Sequence, residues 1–593
     1  MARKIYKFFI DGTLVNDPLN WAEAKISLKR NETYKFVMFK YIGDLKWDGQ
    51  AYDAIQTAID TNGYCQTLPV IVQYSNDDGR SFNTLMDGFI FLKDIRVDEW
   101  KCQIECNIEE SNYIERFLRI EDLKCDTTST RALLVGAGAI SQATKRTIII
   151  SDDNGTTGVA RKGYYFFDLF QHWLDSMFGA NEIIFTSTYL TTDSSRQITT
   201  ITFPTTSQLS TGSGNIVITY TNSFGEQQTA TAAIQLSASA TLNRISYALR
   251  PNNSATTAKA DYYQNDYVKI DYNENNGTNT VTIKSDYPIT INSITGVTSS
   301  VTVTDEVDGM NRLSLFSGSM LRNFGNAAFP MYSFKQLFEE LDKFRNVGLY
   351  FYVSNNQKYC RLENIEYFYS STVSYNFQSV KGITTEISRE YAADMIETED
   401  NSNKDNYRGN ISEPRRFISG FICADNSVDL KNNFIQNSDD INKIKYASDD
   451  KYDDELFILE CEPEAVPSLL WDADARKYMN RQYTNTSGTY REYCVFNARL
   501  NNYGKARRWM FNVLGDLQYG SKTFYNETAI KLLKSAKFEY PISFTDLQTI
   551  YADLTESVTF CDNSNNYNLR HGFIFDIEYE IQTSRTMINL ITT

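Results

Sequence analysis

The first 125 residues mix the hydrophobic period of strands with that of a helix. Residues 24–29 (Ala-Lys-Ile-Ser-Leu-Lys) alternate apolar and polar positions, which predicts a strand with one buried face. The apolar residues at 52, 55, 58 and 59 have the period of a helix. Asp48-Gly49 is predicted to mark its start and Asn62-Gly63 its end. Further strands are predicted over 4–10, 34–42 and 68–74, and a long hairpin over 83–94 and 100–109. The pattern indicates one α+β unit.

The middle of the chain changes character. Residues 164–178 have the period and length of a buried helix. From 186 to 260 there are 17 threonines and six charged residues, and short alternating segments are separated by turn sequences. Strands are predicted near 216–220, 229–236, 267–272, 279–284 and 300–304. This pattern predicts one or two immunoglobulin-like sandwiches inserted into a larger protein. The Thr-rich strands with few charges are also compatible with a surface that binds carbohydrate.

Beyond residue 330 the helix and strand patterns return. Ser333 and Gln336 have the spacing of a capping box before the apolar stripe of a helix over 333–344. A hairpin is predicted over 348–364, a helix near 505–514, a strand near 534–539 and a closing hairpin over 572–592. The fold class predicted is multidomain and β-dominated α+β. The domain division predicted is 1–125 (tube-like α+β), 126–185 (connecting), 186–325 (immunoglobulin-like insertion), 326–480 (central, with an acidic segment) and 481–593 (tube-like α+β).

A short sequence occurs near both ends of the chain. Asp87-Gly88-Phe89-Ile90-Phe91 is matched by His571-Gly572-Phe573-Ile574-Phe575. A predicted helix and strand precede each copy, and another long strand follows it. A match of this length also arises by chance. If it is an internal repeat, it predicts two copies of one sheet-plus-helix unit, in equivalent sheets related by pseudo-symmetry.

The composition provides little for catalysis. The chain has two histidines beside 39 tyrosines and 36 phenylalanines, although histidine is the side chain that titrates near neutral pH and the commonest metal ligand. His172 lies in an aromatic helical stretch and His571 beside Gly572, far apart in sequence. Both are interpreted as structural. The expectation is a protein that is not an enzyme, with no catalytic, cofactor-binding or metal-binding residue.

The cysteines and the apolar segments indicate the compartment in which the protein is made. Nine cysteines, an odd number without a CxxC pair, favour reduced thiols in a cytoplasm. Cys102 and Cys106 are predicted to share one face of a strand, roughly 13 Å apart, which is too far for one zinc ion. The sequence starts without the apolar run of a signal peptide, and no stretch has the ~20 apolar residues of a membrane span.

The net charge of −16 is concentrated in one segment. Residues 391–464 contain 18 acidic and 8 basic residues. Such a surface repels phosphate, so a groove that grips DNA is excluded here, whereas DNA as a passing cargo is not. An acidic wall is what a non-adhesive conduit requires.

The motifs that could hold a nucleotide, a metal or a sugar are weak. Gly136-Ala137-Gly138-Ala139-Ile140-Ser141 approaches the dinucleotide fingerprint, but Asp152-Asp153 comes too early to bind the ribose. The carboxylates of 448–455 are interpreted as a solvated loop, with calcium left open. Trp471-Asp472-Ala473-Asp474 and Arg507-Arg508-Trp509 are interpreted as surface and packing elements. No cofactor is predicted.

Several segments resemble large structural tail proteins of tailed bacteriophages and prophages of Bacteroidetes hosts. Similar stretches cover about two thirds of the chain and are absent from about 186–325. They are Trp21, Gly43-Asp44-Leu45, Tyr52-Asp53-Ala54-Ile55, Asp87-Gly88-Phe89-Ile90, Phe334-Lys335-Gln336-Leu337-Phe338, Asn346-Val347-Gly348, Arg361-Leu362-Glu363, Tyr367-Phe368-Tyr369, Asn497-Ala498-Arg499-Leu500 and 572–591.

The resemblance implies a virion protein of the tail tip, similar to a baseplate or tail-hub component and located in the tail after assembly in the host cytoplasm. Hub proteins of this kind carry two tube-like units, so that a trimer matches a hexameric tube. The partners implied are further copies in a ring, as a trimer or hexamer, and other tail proteins. The alternatives are a tail-tip or decoration protein whose insertion binds host surface glycans, a neck or ring protein, and a glycan-cleaving enzyme.

Overall fold

The structure is a computed structural model, and its description covers most of the chain. The described residues are 5–75, 79–110, 112–125, 145–151, 158–192, 197–203, 214–221, 227–234, 241, 245, 268–271, 280–285, 289–304, 310, 313–318, 330–355, 357–387, 393–401, 414–420, 426–435, 455–460, 470–472, 477–485, 488–493, 505–506, 509–510, 513, 515–520, 522–524, 534–552, 555–562 and 569–592.

Strands dominate the secondary structure, which confirms the β-dominated α+β class. The first strands are β1 (Ile5–Ile10), β2 (Thr13–Val15), β3 (Lys25–Arg30), β4 (Val37–Ile42), β5 (Leu45–Trp47), β6 (Thr67–Ser75), β7 (Asn83–Phe91), β8 (Arg96–Asp98), β9 (Gln103–Cys106), β10 (Glu109–Glu110), β11 (Lys145–Ser151), β12 (Gly158–Tyr165), β13 (Ile183–Thr186), β14 (Gln197–Thr202), β15 (Asn215–Thr221), β16 (Gln227–Ala233), β17 (Val268–Asp271), β18 (Thr280–Ser285), β19 (Ile289–Ile294) and β20 (Ser300–Thr304).

The remaining strands lie in the second half of the chain, and helices occur between strands along its length. The strands are β21 (Leu313–Ser317), β22 (Val347–Ser354), β23 (Gln357–Asn364), β24 (Ser370–Val380), β25 (Thr384–Ile387), β26 (Met395–Asn401), β27 (Arg415–Ser419), β28 (Ser427–Ile435), β29 (Leu456–Glu460), β30 (Leu470–Asp472), β31 (Lys477–Asn485), β32 (Gly488–Tyr493), β33 (Leu517–Tyr519), β34 (Lys522–Phe524), β35 (Lys534–Glu539), β36 (Glu556–Asp562), β37 (Leu569–Glu580) and β38 (Thr586–Thr592). The helices are α1 (Gly49–Asn62), α2 (Asn112–Ile120), α3 (Phe166–Phe178), α4 (Thr188–Thr191), α5 (Phe334–Arg345) and α6 (Phe544–Ala552).

The N-terminal unit is an antiparallel sheet with the order β10–β7–β6–β1–β2 and the helix α1. The helix ends as the sequence predicts, since Gly63 adopts φ +75° and its N–H donates to the carbonyl of Ile59. Its buried residues Ala51, Ile55, Ala58 and Ile59 belong to the same apolar core as the sheet.

The C-terminal sheet curls until its two edges approach each other. Its order is β24–β36–β37–β38–β35–β25, yet only residues 381–383 connect β24 to β25. A flat sheet would separate these strands by about 24 Å, whereas that connection spans at most about 14 Å. The Phe377 ring on β24 lies 5.6 Å from the Phe538 ring on β35, centroid to centroid. The sheet therefore forms a barrel-like layer with these rings inside.

The two ends of the chain share this core through the strand β3. Residues 25–29 of β3 pair antiparallel with residues 576–580 of β37, on the edge of β37 that pairs with β36 further along. Ile26 and Leu28 lie opposite Tyr579 and Ile577, and all four side chains are buried. One apolar cluster contains residues of β1, α1, β6 and β7 together with residues of β24, β35, β36, β37 and β38.

The hairpin β3–β4 continues from this core into a second one. Its connection places Tyr34 and Phe36 among the aromatic residues of α2, α3, α5 and β22. The ring of Tyr34 lies 4.6 Å from that of Phe338, and the N–H of Leu349 donates to the carbonyl of Tyr34 at 2.7 Å. The hairpin thus bridges the terminal unit and the central unit.

Four of the other sheets belong to the central unit and the insertion. The central sheet has the order β11–β12–β21–β29–β28–β26–β27–β33–β34, and β13, β23 and β22 form a separate sheet beside α3 and α5. Between β13 and β21 along the chain, the sheets β17–β18–β14–β20 and β16–β15–β19 share one apolar cluster. The inserted sandwich of the sequence analysis therefore has two layers, and the predicted five-domain division stays a prediction.

No helix in the described part of the chain is long and apolar enough to cross a membrane.

We predict that Arg30→Met lowers the free energy of unfolding by roughly 2–4 kcal/mol. Arg30 is 1% exposed, and its guanidinium donates to the carbonyls of Ile574 and Lys35 at 3.0 and 2.8 Å. The variant leaves both carbonyls without this donor. Urea unfolding measures the change, and Arg416→Met, at a side chain 62% exposed in an ion pair with Glu397, is the control expected to stay within about 0.5 kcal/mol. Equal stability of the two variants would refute the bridging role.

Candidate assembly surfaces

The two histidines lie in different surroundings. His172 is 3% exposed in the aromatic helix α3. His571 is exposed on β37, where its carbonyl accepts a hydrogen bond from the Thr592 hydroxyl at 2.7 Å. Among the described residues there is also no group of three His, Cys, Asp or Glu side chains that could hold a metal ion.

The cysteine prediction is wrong in its geometry. Cys102 is an exposed residue of the β8–β9 turn, with a left-handed φ of 47°, whereas Cys106 is buried in β9. The turn ends the alternation that placed both cysteines on one strand face. Burial raises the pKa of the Cys106 thiol to about 12, so it stays protonated at neutral pH.

Several candidate motifs cannot be placed. Residues 136–141, 152–153, 448–454, 473–474 and 507–508 lie outside the described residues. Trp471 and Asp472 are part of β30. The indole N–H of Trp509 donates to the carbonyl of Asp342 at 3.0 Å, which fits the packing role expected for it.

Carboxylates of the acidic segment are paired on the central sheet. On β26, Glu397 accepts from Arg416 of β27 at 3.1 Å, and Glu399 lies 2.7 Å from the Lys431 ammonium of β28. These pairs reduce the negative charge of this face. Whether the acidic excess lines a conduit therefore depends on the rest of residues 391–464 and stays a prediction.

A buried carboxylate on α5 is a feature that sequence reasoning missed. Glu340 is fully buried and accepts hydrogen bonds from the Asn432 amide at 2.6 Å and from the Asn433 and Phe434 N–H groups at 2.9 and 3.2 Å. Lys505, also buried, donates to the Asn432 side chain. Burial raises the pKa of Glu340, and the Asn432 amide opposes that shift. With its oxygens occupied by protein donors, Glu340 joins α5 to β28 and is not placed to transfer protons to a substrate.

The sequence did contain a signal for this carboxylate. Position 340 is three residues after Leu337 and four before Phe344, both fully buried, so it falls inside the apolar stripe of the helix. An acidic residue inside such a stripe indicates a buried partner.

A second carboxylate of α5, Asp342, interacts electrostatically with Lys35 of the hairpin. Asp342 accepts a hydrogen bond from the N–H of Val347 at 2.9 Å, and burial raises its pKa to about 7 while Lys35 opposes the shift. Burial lowers the pKa of Lys35, and Asp342 opposes that shift. The position of the hairpin on the central unit is therefore linked to the protonation of this pair.

The two glycine-centred segments occupy equivalent local positions. Residues 87–91 and 571–575 have the same succession of one exposed, three buried and one partly buried residue. Gly88 lies opposite Val70 of β6 and Glu110 of β10, and Gly572 lies opposite Val558 of β36 and Thr592 of β38, all in antiparallel pairs. Each glycine therefore lies in a strand that pairs antiparallel on both sides.

Beyond these strands the two units differ. The outer strand β1 runs antiparallel to β6, whereas β24 runs parallel to β36. A helix precedes β6 and β36 alike. Pseudo-symmetry of the complete sheets stays a prediction.

Large apolar side chains reach the solvent at the terminal units. Trp100 is 93% exposed in the β8–β9 turn, and Leu14 and Leu19 are 53% and 54% exposed on the same unit. Ile387 and Leu569 are each 55% exposed on the C-terminal barrel. Because exposed tryptophan is rare on monomers and enriched at interface centres, Trp100 is the strongest candidate anchor for a neighbour.

Comparison with known proteins gives only distant matches. No protein-family model matches the chain, and no curated protein has significant sequence similarity to it. A 43 kDa tail protein of prophage MuSo2 from Shewanella oneidensis is similar in structure at a TM-score of 0.33 and 9% identity, over 100% of this chain and 98% of that one. The prophage tail protein gp18 from Listeria monocytogenes EGD-e has a TM-score of 0.30 and 7% identity, over 99% of this chain and 93% of that one. At these TM-scores the matches assign neither fold nor family.

We predict that Asp342→Asn weakens the pH dependence of stability. The carboxyl titrates near pH 3.8 when unfolded and near 7 when folded, so the stability that it contributes is complete below pH 4 and is lost as the pH rises to 7. The stability of the wild type relative to the variant should fall over this range by on the order of 2 kcal/mol. Melting temperatures from pH 4 to 8 provide the measurement. Asp53→Asn, on the exposed side of α1, is the control, and its melting temperature should change with pH as that of the wild type does. A curve of melting temperature against pH for Asp342→Asn that runs parallel to the wild-type curve would show that Asp342 does not cause the pH dependence.

We also predict that the two glycines tolerate alanine to different degrees. A Cβ at Gly88 would lie 2.3 Å from the carbonyl oxygen of Glu109, whereas one at Gly572 would lie 3.1 Å from Leu590 side-chain atoms and 3.3 Å from the Ile591 carbonyl oxygen. We expect Gly88→Ala to cost about 3 kcal/mol and Gly572→Ala about 1 kcal/mol. Gly420→Ala, where a Cβ meets nothing within 4 Å, is the control, and calorimetry compares the three. A Gly88 variant as stable as the Gly420 variant would show that β10 does not approach as closely as the structure has it.

Proposed function

We propose that this chain is a structural component of a phage tail, at the tail tip as a hub or baseplate protein, that forms a homo-oligomeric ring around the DNA conduit. The resemblance of residues 1–125, of the segments near 334–369 and of 572–591 to tail structural proteins supports this proposal. In this role the protein is part of the virion, is assembled in the host cytoplasm and contacts other tail proteins.

The observation that carries the proposal is the presence of two locally equivalent sheet segments in one chain. The strands around Gly88 and Gly572 have the same pairing and the same burial, and β3 holds the two units on one core. Each copy would therefore contribute two similar units to a ring. Three copies would contribute six, which matches a hexameric tube.

We propose further that the protein carries out no catalysis. The buried carboxylates Glu340 and Glu363 bind protein donors, and Glu363 accepts from the Thr188 hydroxyl at 2.6 Å and from the N–H groups of Thr188 and Tyr189 at 2.9 and 3.1 Å. A carboxylate saturated in this way stabilises α4 and α5 and presents no oxygen to a sugar or a water.

The alternative of glycan binding through residues 186–325 has less support. Recognition of a sugar would favour exposed aromatic rings on the insertion, yet Phe203 and Tyr220, which lie in its described part, are 1% and 7% exposed. Retention of the full-length protein on host polysaccharide, and loss of that retention when residues 186–325 are deleted, would favour this second role.

We predict that native mass spectrometry of the purified full-length protein detects three or six copies. Trp100→Asp should lower the oligomeric fraction at least about tenfold at a fixed concentration, because it places a charge at the proposed anchor. Val353→Asp, at a valine 58% exposed on β22, is the matched control. Twelve copies would favour a neck ring, and a solitary chain that turns over a host polysaccharide would overturn the proposal. A ring unaffected by Trp100→Asp would reject only the anchor.

A further inference from the structure

Among the described strands, each sheet of the inserted sandwich ends in an edge strand next to the connection 295–299. The strand β19 at the end of one sheet passes through residues 295–299 to β20 at the end of the other. Among the strands that the structure describes, β19 pairs with β15 and β20 pairs with β14, and no described strand lies on their outer edges. Both edges therefore face the same side of the sandwich.

Two valines on this side point toward the interior but reach the solvent. Val301 lies opposite Ile201 and Val303 opposite Thr199, and directly opposed residues of an antiparallel pair share a face. Ile201 and Thr199 are fully buried, whereas Val301 and Val303 are 40% and 57% exposed. The face that forms the core of the sandwich therefore extends past the layer that covers it.

The edge lacks the features by which proteins keep exposed strands apart. Natural sheets protect their edges with charged residues, prolines or bulges. Residues 300–304 read Ser-Val-Thr-Val-Thr and contain neither a charge nor a proline, and β20 pairs with β14 without a register shift. An apolar, regular and uncharged edge of this kind is suited to pairing with another strand.

We propose that β20 pairs antiparallel with β20 of a second copy of this chain, about a two-fold axis at Thr302. This register places Val301 opposite Val303, and Ser300 opposite Thr304, in both directions, so the segment is complementary to itself.

The pairing covers the exposed valines and fixes the register. The four valines form one strip on the interior face across the axis, which removes the apolar surface that each copy exposes. A slip of one residue would set valine against threonine and turn the strip away from the partner's strip, which disfavours it. A second copy is therefore a better fit to this edge than an unrelated strand with charged or bulky residues.

The two-fold contact is independent of the proposed ring. A three-fold or six-fold ring contains no two-fold axis between its own neighbours, so this contact would join two free chains or two rings. The two-fold contact can be absent from a protein that forms the ring, and it can be present in a protein that forms no ring.

Disulfide trapping of the full-length protein tests the register. In a Cys65→Ser, Cys102→Ser background, Thr302→Cys should give a covalent dimer on mild oxidation. The Cα atoms of directly opposed residues lie about 4.5–5.5 Å apart, and disulfides span Cα distances of about 4.4–6.8 Å. Val353→Cys, at an exposed position on another sheet, is the control that should not cross-link. Failure of Thr302→Cys to cross-link above this control would overturn the proposed register.

Sedimentation provides the second measurement. The double variant V301K/V303K places four ammonium groups across the axis and should weaken self-association at least about tenfold, whereas V353K should leave it unchanged. Circular dichroism checks that each variant is folded, since both valines are already exposed. Association unchanged by V301K/V303K would overturn the proposal, as would a wild-type protein that shows no two-fold species at any concentration.

Discussion

The structure depends on one hairpin that belongs to two cores at once. The strand β3 buries Ile26 and Leu28 against the C-terminal strand β37, and the connection to β4 buries Tyr34 and Phe36 in the aromatic core of the central unit. Arg30, between these two contacts, binds carbonyls on both sides. The relative placement of the terminal and central units follows from this segment, because neither core is complete without it.

Aromatic packing forms much of the core of the central unit. The rings of Phe117, Trp173 and Phe334 lie in mutual contact at centroid distances of 4.8–5.9 Å. Edge-to-face pairs of this kind add about 0.5–1.5 kcal/mol each beyond the area they bury. A large aromatic content is therefore consistent with both stable cores and with interfaces, and by itself it does not distinguish the two.

The sequence predicted what is decided locally. The ends of α1 and the capping box of α5 were correct, because Gly63, Ser333 and Gln336 act on neighbouring backbone groups. The partner of β3 was beyond prediction, since a period of two indicates a strand and not the strand it pairs with some 550 residues later. The hairpin predicted over 83–94 and 100–109 puts Trp100 in a strand, whereas Trp100 lies in the turn before β9 and is exposed to solvent. Of the features that support the proposed assembly, only the glycine repeat could be found from the sequence.

The pairing of the first strands with the last ones also sets the order of events during synthesis. Residues 576–580 are synthesised some 550 residues after β3, so the apolar face of β3 stays uncovered until that point. Contacts this distant in sequence close slowly and leave intermediates with exposed apolar surface. A product truncated by premature termination lacks the β37 strand and cannot complete the terminal core. The topology therefore makes completion of the terminal core depend on synthesis having passed β37.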